Sequence, residues 1–201
     1  MEKQMVLASR NRGKIREMRA ILAVVVPGME ILSLDDIGIT DDVAEDGTTF
    51  AENAWIKAKA IADKGYIGIA DDSGLCVDAL GGEPGVYSAR YAGGHGDDAA
   101  NLALLLHRME NVSDRRAEFC CAIACVFPDG SEPILTVGEV RGEILRERRG
   151  EDGFGYDPVF YYPPFGKTFG ELSSEEKNKI SHRAVALERF SKAWKERWNE
   201  D

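Results

Sequence analysis

The sequence lacks the features that would direct a chain to a membrane or to nucleic acid. Its 201 residues contain no apolar run of transmembrane length, and Met5-Val-Leu-Ala8 is too short for the apolar part of a signal peptide. It also lacks an excess of positive charge, since 25 Lys and Arg stand against 35 Asp and Glu and give a formal net charge of −10. Nucleic-acid and membrane-surface binders need a basic face. We therefore expect neither partner, and we expect a cytoplasmic location.

Cysteine is scarce and lacks the spacing of a metal site. The four cysteines are Cys76, Cys120, Cys121 and Cys125, and no two of them form a Cys-x-x-Cys pair. Three of them lie in the apolar segment 119–127, where alternate residues of a strand would point to opposite faces. This pattern predicts packed, reduced thiols rather than zinc ligands or disulfides.

Two common phosphate-handling motifs are absent as well. The chain has no Gly-x-x-x-x-Gly-Lys-Ser/Thr loop, and it has no Asp-x-Asp-x-Thr of the aspartyl-nucleophile phosphatases. Its hydrophobic content of 44% and charged content of 30% are typical of a globular protein. This length fits one domain, or one domain with two lobes around a cleft.

The order of the elements predicts a mixed α/β fold. Strands alternate with helices in the first half, whereas two long strands joined by Pro128-Asp-Gly130 form a hairpin in the second half. The expected strands are Gln4–Ala8, Met29–Leu32, Tyr66–Ala70, Ala117–Phe127 and Ile134–Leu145. The expected helices follow Lys14, Thr48 or Thr49, Asp97-Asp98, and Ser173 or Ser174, and the last one is interrupted near Ser181.

A polar turn joins the first strand to the first helix and could hold a phosphate. Ser9 and Asn11 offer side-chain donors, Gly13 permits close approach of a ligand, and Lys14 adds a positive charge. A helix start favours anions, because its N–H groups have no partner within the helix. The alternative is a simple helix cap by Asn11 with solvated Arg12 and Lys14, and this segment alone slightly favours that alternative.

An acidic pair follows the strand that ends at Ala70. Asp71 and Asp72 would point to opposite sides, so we expect one to act and the other to be structural. A carboxylate at the end of a strand can bind Mg²⁺ and can orient or deprotonate water. The upstream segment Glu45-Asp46 offers another oxygen ligand. The alternative is an ordinary Asp-Asp-Ser-Gly turn.

An aromatic, glycine-rich loop and the last helix could bind a nucleobase. Phe154, in the loop 150–158, provides a stacking surface, and Lys177 could reach a phosphate. His182 and Arg183 supply donors for the 6-oxo group of a purine. These donors would discriminate against adenine, which has an amino group at that position. Taken singly, a structural histidine and a surface ion pair are the more common roles of these two residues.

Taken together and in this order, the segments resemble the inosine triphosphate pyrophosphatase, or Ham1/RdgB-like, family. The matching segments are Leu7-Ala-Ser-Arg-Asn-Arg-Gly-Lys14, Glu45-Asp-Gly-Thr-Thr-Phe-Ala-Glu-Asn-Ala54, Ala70-Asp-Asp-Ser-Gly-Leu75, Leu80-Gly-Gly-Glu-Pro-Gly-Val-Tyr-Ser-Ala-Arg-Tyr91, Gly153-Phe-Gly-Tyr-Asp-Pro158 and Glu176-Lys-Asn-Lys-Ile-Ser-His-Arg183. The resemblance spans nearly the whole chain. The sequence departs from the pattern of the family at two positions: Ser9 replaces the commoner Thr, and position 10 carries a bulky Arg.

The resemblance implies a fold, a reaction and a set of residues. The fold would be a single domain over residues 1–201, with two lobes, a long central mixed sheet flanked by helices, and a nucleotide cleft between the lobes. The reaction would be hydrolysis of ITP, dITP and XTP to the monophosphate and pyrophosphate by a Mg²⁺-dependent homodimer. Asp72 would be the general base and a metal ligand, and Glu45 the second metal ligand. The implied substrate-binding residues are Ser9, Arg10, Asn11, Arg12, Gly13, Lys14, Lys57, Ser73, Phe154, Gly155, Tyr156, Asp157, Lys177, His182 and Arg183.

Two other functions stay open from the sequence. One is a pyrophosphatase that acts on a different modified nucleoside triphosphate, such as a pyrimidine, and would not need the donors of His182 and Arg183. The other is a nucleotide sensor that binds its ligand without turnover. The dimer surface is not evident from the sequence, although Trp55 on the second helix is a candidate.

Overall fold

The computed structural model describes residues 4–41, 43–94 and 96–198. Its strands are β1 (Gln4–Leu7), β2 (Glu30–Ser33), β3 (Ile67–Val77), β4 (Arg116–Val126), β5 (Ile134–Ile144), β6 (Phe160–Tyr162) and β7 (Lys167–Thr168). They form a sheet in the order β2-β1-β3-β4-β5-β6-β7. β1 pairs in parallel with β2 and β3, whereas β6 pairs antiparallel with β5 and β7. The sheet is therefore mixed, and with its flanking helices it confirms the predicted α/β class.

The helices begin at residues that can cap them. They are α1 (Arg12–Val25), α2 (Phe50–Ala62), α3 (Asp98–Arg108), α4 (Ser174–Ile180) and α5 (His182–Trp198). Thr49 starts α2 and Ser173 starts α4, each in a reciprocal capping box with the glutamate three residues on. Asp97 caps α3 by accepting from Ala100 N at 3.0 Å. These starts agree with the sequence prediction, as does the break between α4 and α5 at Ser181.

The chain divides into two compact units. The first takes its residues from Met1–Asp72, Cys121–Gly138 and Arg183–Asp201. One of its apolar clusters joins α1 and α5 to the strands through residues such as Met18, Phe190 and Met5, and another joins α2 through Ala54 and Ala58. Such close packing of α2 requires a glycine opposite it, since an added Cβ on Gly68 would lie 2.1 Å from the carbonyl oxygen of Ala58.

The second unit comprises Ser73–Cys120 and Glu139–His182. Aromatic rings form part of its interior: Phe119 packs against Phe160 with centroids 4.5 Å apart and against Phe169 at 5.8 Å. All three rings are buried, and they lie on β4, on β6 and just after β7. The short strands β6 and β7 were not predicted from sequence.

β3 differs from its prediction at a point that matters for function. We expected the strand to end at Ala70, with an Asp71-Asp72-Ser73-Gly74 turn as the alternative to a functional segment, but β3 continues to Val77. The turn interpretation of this segment was therefore wrong. Asp and Gly are poor strand formers, yet β3 pairs with β1 and lies beside β4 in the sheet, and this tertiary setting overrides local preference.

None of the helices in the described part of the chain is long and apolar enough to cross a membrane.

Candidate active site

Asp72 lies on β3 in the first unit and is only 6% exposed. Its Oδ2 accepts from Asn53 Nδ2 at 3.2 Å, and its Oδ1 lies 3.2 Å from Lys57 Nζ. The same Nζ is 3.3 Å from Glu45 Oε2. Two predicted metal ligands thus converge on one ammonium group, which is the predicted triphosphate-binding Lys57.

The pKa of Asp72 is raised above the ordinary value of an aspartate. Burial is the main cause, and the negative charges of Glu45 and Asp71 add to it, whereas Lys57 and Lys14 act in the opposite direction. The raised pKa shows that the positive charge now around Asp72 does not fully offset its burial. A carboxylate in this setting gains from a further cation and is a better proton acceptor than an exposed aspartate.

Helix α2 places the two side chains that contact Asp72. Asn53 and Lys57 are four residues apart, so they lie on the same face of α2. Asn53 is fully buried, and its Oδ1 accepts from Gly47 N at 2.9 Å, which ties the segment after Glu45 to the start of the helix. No role for Asn53 at this site was predicted from the sequence. Its four-residue spacing from Lys57, on a helix face rich in alanine, could have indicated one.

Asp71 has different surroundings, as its alternate position on the strand predicts. Lys14 Nζ is 3.2 Å from its Oδ2, and Arg183 donates to the same oxygen from Nη2 at 3.0 Å and from Nε at 3.3 Å. Arg183 also pairs with Glu17, whose partner role was not predicted. Asp71 therefore has a structural role, as we expected of one of the two aspartates, and it joins α1 to α5 through buried charges.

The charges around Asp71 keep it ionised. Burial would raise its pKa, but Lys14, Arg183 and Lys57 together outweigh burial and hold it well below the usual range. In the same network, burial would lower the pKa of Arg183, and Asp71 and Glu17 raise it instead. Adjacent aspartates on β3 thus have pKa values shifted in opposite directions.

The predicted phosphate loop precedes and enters α1. Asn11 caps this helix, since its Oδ1 accepts from Lys14 N at 3.1 Å, and Ser9 Oγ accepts from Asn11 N at 3.3 Å. Arg12, Gly13 and Lys14 form the first turn. Arg10 reaches away to Asp35 at 3.3 Å. The cap that we gave as the alternative is thus present, and a helix start of this kind still offers N–H groups to an anion.

In the second unit, the aromatic loop is held by buried ionic contacts. Asp157 Oδ2 accepts from Phe154 N at 2.9 Å and from Lys177 Nζ at 2.6 Å. Lys177 Nζ also lies 4.6 Å from the centre of the Phe154 ring. Gly153 has a φ of 79°, and an added Cβ there would lie 2.2 Å from Asp157 Oδ2. Phe154, Asp157 and Lys177 therefore form one cluster of mutual contacts.

Other predicted residues of the second unit have structural contacts. Tyr156 is buried and donates from its hydroxyl to Ser88 O at 2.8 Å, and Gly155 N donates to Asp98 Oδ2 at 3.0 Å. His182 is 4% exposed, and its ring stacks on Phe119 with centroids 4.7 Å apart. Ser73 lies on β3 and is half-buried. Their contacts with a substrate stay predictions.

Known proteins resemble this chain over nearly its whole length. A sequence model described as the Ham1 family matches residues 5–193. The dITP/XTP pyrophosphatase of Bacillus licheniformis is 53% identical over 192 residues, which cover 94% of this chain and 96% of that protein. The dITP/XTP pyrophosphatase of Geobacillus kaustophilus is 50% identical over 197 residues, or 96% of this chain and 95% of the other. The solved Ham1 protein of Staphylococcus aureus superposes with a TM-score of 0.86 at 44% identity and covers 96% of this chain and 99% of its own.

Proposed function

The chain belongs to the Ham1 family, and on that premise we propose that it hydrolyses purine nucleoside triphosphates with non-standard bases. The substrates would be ITP, dITP and XTP, and the products the monophosphate and pyrophosphate. Relatives at 53% and 50% identity are dITP/XTP pyrophosphatases. The observation that carries the proposal is Asp72, a buried carboxylate with a raised pKa, beside Lys57 and Glu45.

The residues around Lys57 fit a divalent cation, and we propose Mg²⁺. Glu45 and Asp72 offer the carboxylate oxygens that Mg²⁺ prefers, and both already lie within 3.3 Å of one positive centre. Mg²⁺ usually takes only one or two carboxylates and completes its sphere with water and phosphate oxygens. When bound, it would withdraw charge from the phosphates of the substrate.

The residues of the chain would bind the triphosphate and activate water. The start of α1 and Lys14 would bind phosphate oxygens, with Lys57 as a second cation. Asp72 would orient a water molecule and accept its proton as the water attacks the α-phosphorus, so that pyrophosphate leaves. Asn53 would hold the Asp72 carboxylate in place through its hydrogen bond at 3.2 Å. Positioning and preorganised charge supply most of the acceleration in such reactions.

Recognition of the base would fall to the cluster in the second unit and to the start of α5. The Phe154 ring, held through Asp157 and Lys177, would stack on the purine. His182 would donate to the 6-oxo group, which adenine lacks. Arg183 is proposed as a second donor, and any contact with the base must coexist with or replace its pairing with Asp71 and Glu17.

We also propose a homodimer, a cytoplasmic location and no nucleic-acid partner. The single two-lobed domain over residues 1–201 and the nucleotide cleft stay predictions from the resemblance. Light scattering coupled to size-exclusion chromatography would test the dimer directly, because a dimer has twice the chain mass of 22.1 kDa.

A product assay separates the proposal from its rivals. The protein is incubated with Mg²⁺ and, separately, with ITP, XTP, dITP, dATP, dGTP and a modified pyrimidine triphosphate, and pyrophosphate and orthophosphate are measured. We expect pyrophosphate from the first three substrates and little from dATP and dGTP. Orthophosphate as the direct product would indicate a phosphatase, preference for the pyrimidine would favour a different sanitising enzyme, and binding without product would favour a sensor.

The variant Asp72→Asn tests the assignment of the general base. It should bind ITP but lower turnover by roughly 10²-fold or more, because the amide cannot accept the proton of the attacking water. Asp63→Asn is the matched control, since Asp63 follows α2 on the surface and pairs with Lys59. Near-normal turnover in Asp72→Asn would refute the assignment.

A further inference from the structure

A second group of side chains with metal-binding chemistry lies on one part of the sheet. Ligand atoms of Glu118, Cys120 and Glu139 all lie within 4.8 Å of one another. Cys76 lies outside this group of three, but its thiol interacts with the Cys120 thiol, which lowers the pKa of Cys76 and raises that of Cys120. All four residues belong to the second unit. None of the four is among those proposed for catalysis or substrate binding.

In contrast to the expectation from sequence that all four cysteines are packed thiols and not zinc ligands, we propose that Cys76, Glu118, Cys120 and Glu139 form a binding site for a thiophilic divalent cation of the zinc class. Two thiolates and two carboxylates supply four ligands, the number that Zn²⁺ takes in tetrahedral sites. Mg²⁺ and Ca²⁺ prefer oxygen ligands alone, so the two sulfur atoms select against them. The site is thus chemically distinct from the Asp72 and Glu45 pair.

The fold supports the ligands on rigid elements. Cys76 lies on β3, Glu118 and Cys120 on β4, and Glu139 on β5, and these three strands are neighbours in the sheet. Glu118 and Cys120 are two residues apart and therefore point to the same face. A tetrahedral metal with ordinary Zn–S and Zn–O bonds would separate its ligand atoms by about 3.5 Å. The three ligand atoms that lie within 4.8 Å of one another, and the Cys76 thiol, would have to approach further by rotation of their side chains.

The surroundings suit a site that loads from solvent. Glu139 is exposed, Cys76 and Glu118 are half-buried, and Cys120 is buried, so the group extends from the surface into the protein. Arg141 Nη2 pairs with Glu118 Oε2 at 3.1 Å, and its side chain is 72% exposed. The Glu118 side chain is only 20% exposed, but the guanidinium side of the pair is open to solvent, so Arg141 can move aside for a metal and then offset the surplus negative charge.

Cobalt(II) is the probe for this site, because thiolate ligands give it an intense near-ultraviolet charge-transfer band. The whole protein is reduced, freed of metal by a chelator, and titrated with Co²⁺ in excess Mg²⁺, which occupies oxygen-only sites. We expect one equivalent of Co²⁺ to produce the band and one equivalent of Zn²⁺ to abolish it. No band at about 1 mM Co²⁺, a concentration that half-fills a site with a dissociation constant of about 1 mM, would overturn the proposal.

Variants assign the band to its ligands. Cys120→Ser and Cys76→Ser should each remove most of the band and weaken Zn²⁺ binding by at least tenfold. Cys125→Ser, the control, removes a buried thiol of the first unit and should keep the band. Cys120→Ser changes a buried side chain and could impair folding. Cys76→Ser changes a half-buried side chain and is less disruptive. A band that survives in both would overturn the proposal.

A thiol count distinguishes metal binding from oxidation. The structure has all four cysteines as free thiols, and we expect all four to react with a thiol reagent after Zn²⁺ is stripped from the denatured protein. If Cys76 and Cys120 are instead found joined in a disulfide and no metal-dependent band appears, the group is a redox pair and the proposal is wrong.

Discussion

The variant Arg183→Met tests whether Arg183 is first of all the partner of two buried carboxylates. Its guanidinium binds Asp71 and Glu17 while the side chain is only 1% exposed. Methionine retains much of the buried volume but cannot pair with either acid. The alternative, in which Arg183 serves the nucleobase alone, predicts a change in nucleotide affinity with little change in stability.

The structure gives the expected size of the effect. Removing one partner of a buried ion pair typically costs about 3–5 kcal/mol, because the remaining charge stays desolvated. Lys14, 3.2 Å from Asp71, still compensates that carboxylate in part. We therefore expect a loss near the lower end, about 3 kcal/mol. For a chain of 201 residues, this corresponds to a fall in Tm of roughly 6–12 °C.

Urea unfolding at neutral pH, followed by circular dichroism, measures the loss. Arg12→Met is the matched control, because Arg12 is an exposed arginine in the same unit, and it should change the free energy of unfolding by less than about 0.5 kcal/mol. The low pKa of Asp71 means that its pairing stabilises the folded state fully above about pH 4 and less as the pH falls further. The difference between parent and Arg183→Met should shrink in that range. A loss below about 1 kcal/mol at neutral pH would refute the reasoning.

Three further predictions concern the first unit, which contains the proposed general base Asp72. Lys14→Ala should raise the KM for ITP by about tenfold or more, as expected for one lost charge-assisted hydrogen bond, and an unchanged KM would contradict the phosphate role of α1. Asn53→Ala should lower kcat roughly fivefold to tenfold without a matching change in KM, because Asp72 loses the donor that positions it. Glu45→Gln should raise the Mg²⁺ concentration needed for half-maximal activity by about tenfold, whereas Asp46→Asn should change it little; the reverse order would assign the ligand to Asp46.

The sequence predicted what local chemistry determines. The helix caps predicted at Thr48 or Thr49 and at Ser173 or Ser174, the break at Ser181 and the strands around the 128–130 turn all depend on residues a few positions apart, and the structure has each of them. The resemblance added the family, because it combines segments from the whole chain. Neither source required knowledge of which residues meet in space.

Long-range ion pairs could not be predicted in this way. Arg183 and Asp71 are 112 residues apart, and Arg183 and Glu17 are 166 apart, so no local pattern connects them. The sequence showed an arginine beside a histidine and suggested a base contact. Likewise, it indicated a phosphate role for Lys177, whereas the structure pairs this lysine with Asp157 and the Phe154 ring. In each case a charged side chain has a buried partner that only the fold reveals.

Asp71 and Asp72 have different contacts and pKa values because side chains alternate between the two faces of a strand. Successive side chains of β3 point to opposite sides, so one aspartate meets Lys14 and Arg183 while the next meets Asn53 and Lys57. The same residue type therefore acquires a lowered pKa at one position and a raised pKa at the next. A slip of one residue in the pairing of β3 would exchange the two environments. The parallel pairing of β1 with Ile67–Ile69 thus determines which aspartate has the raised pKa.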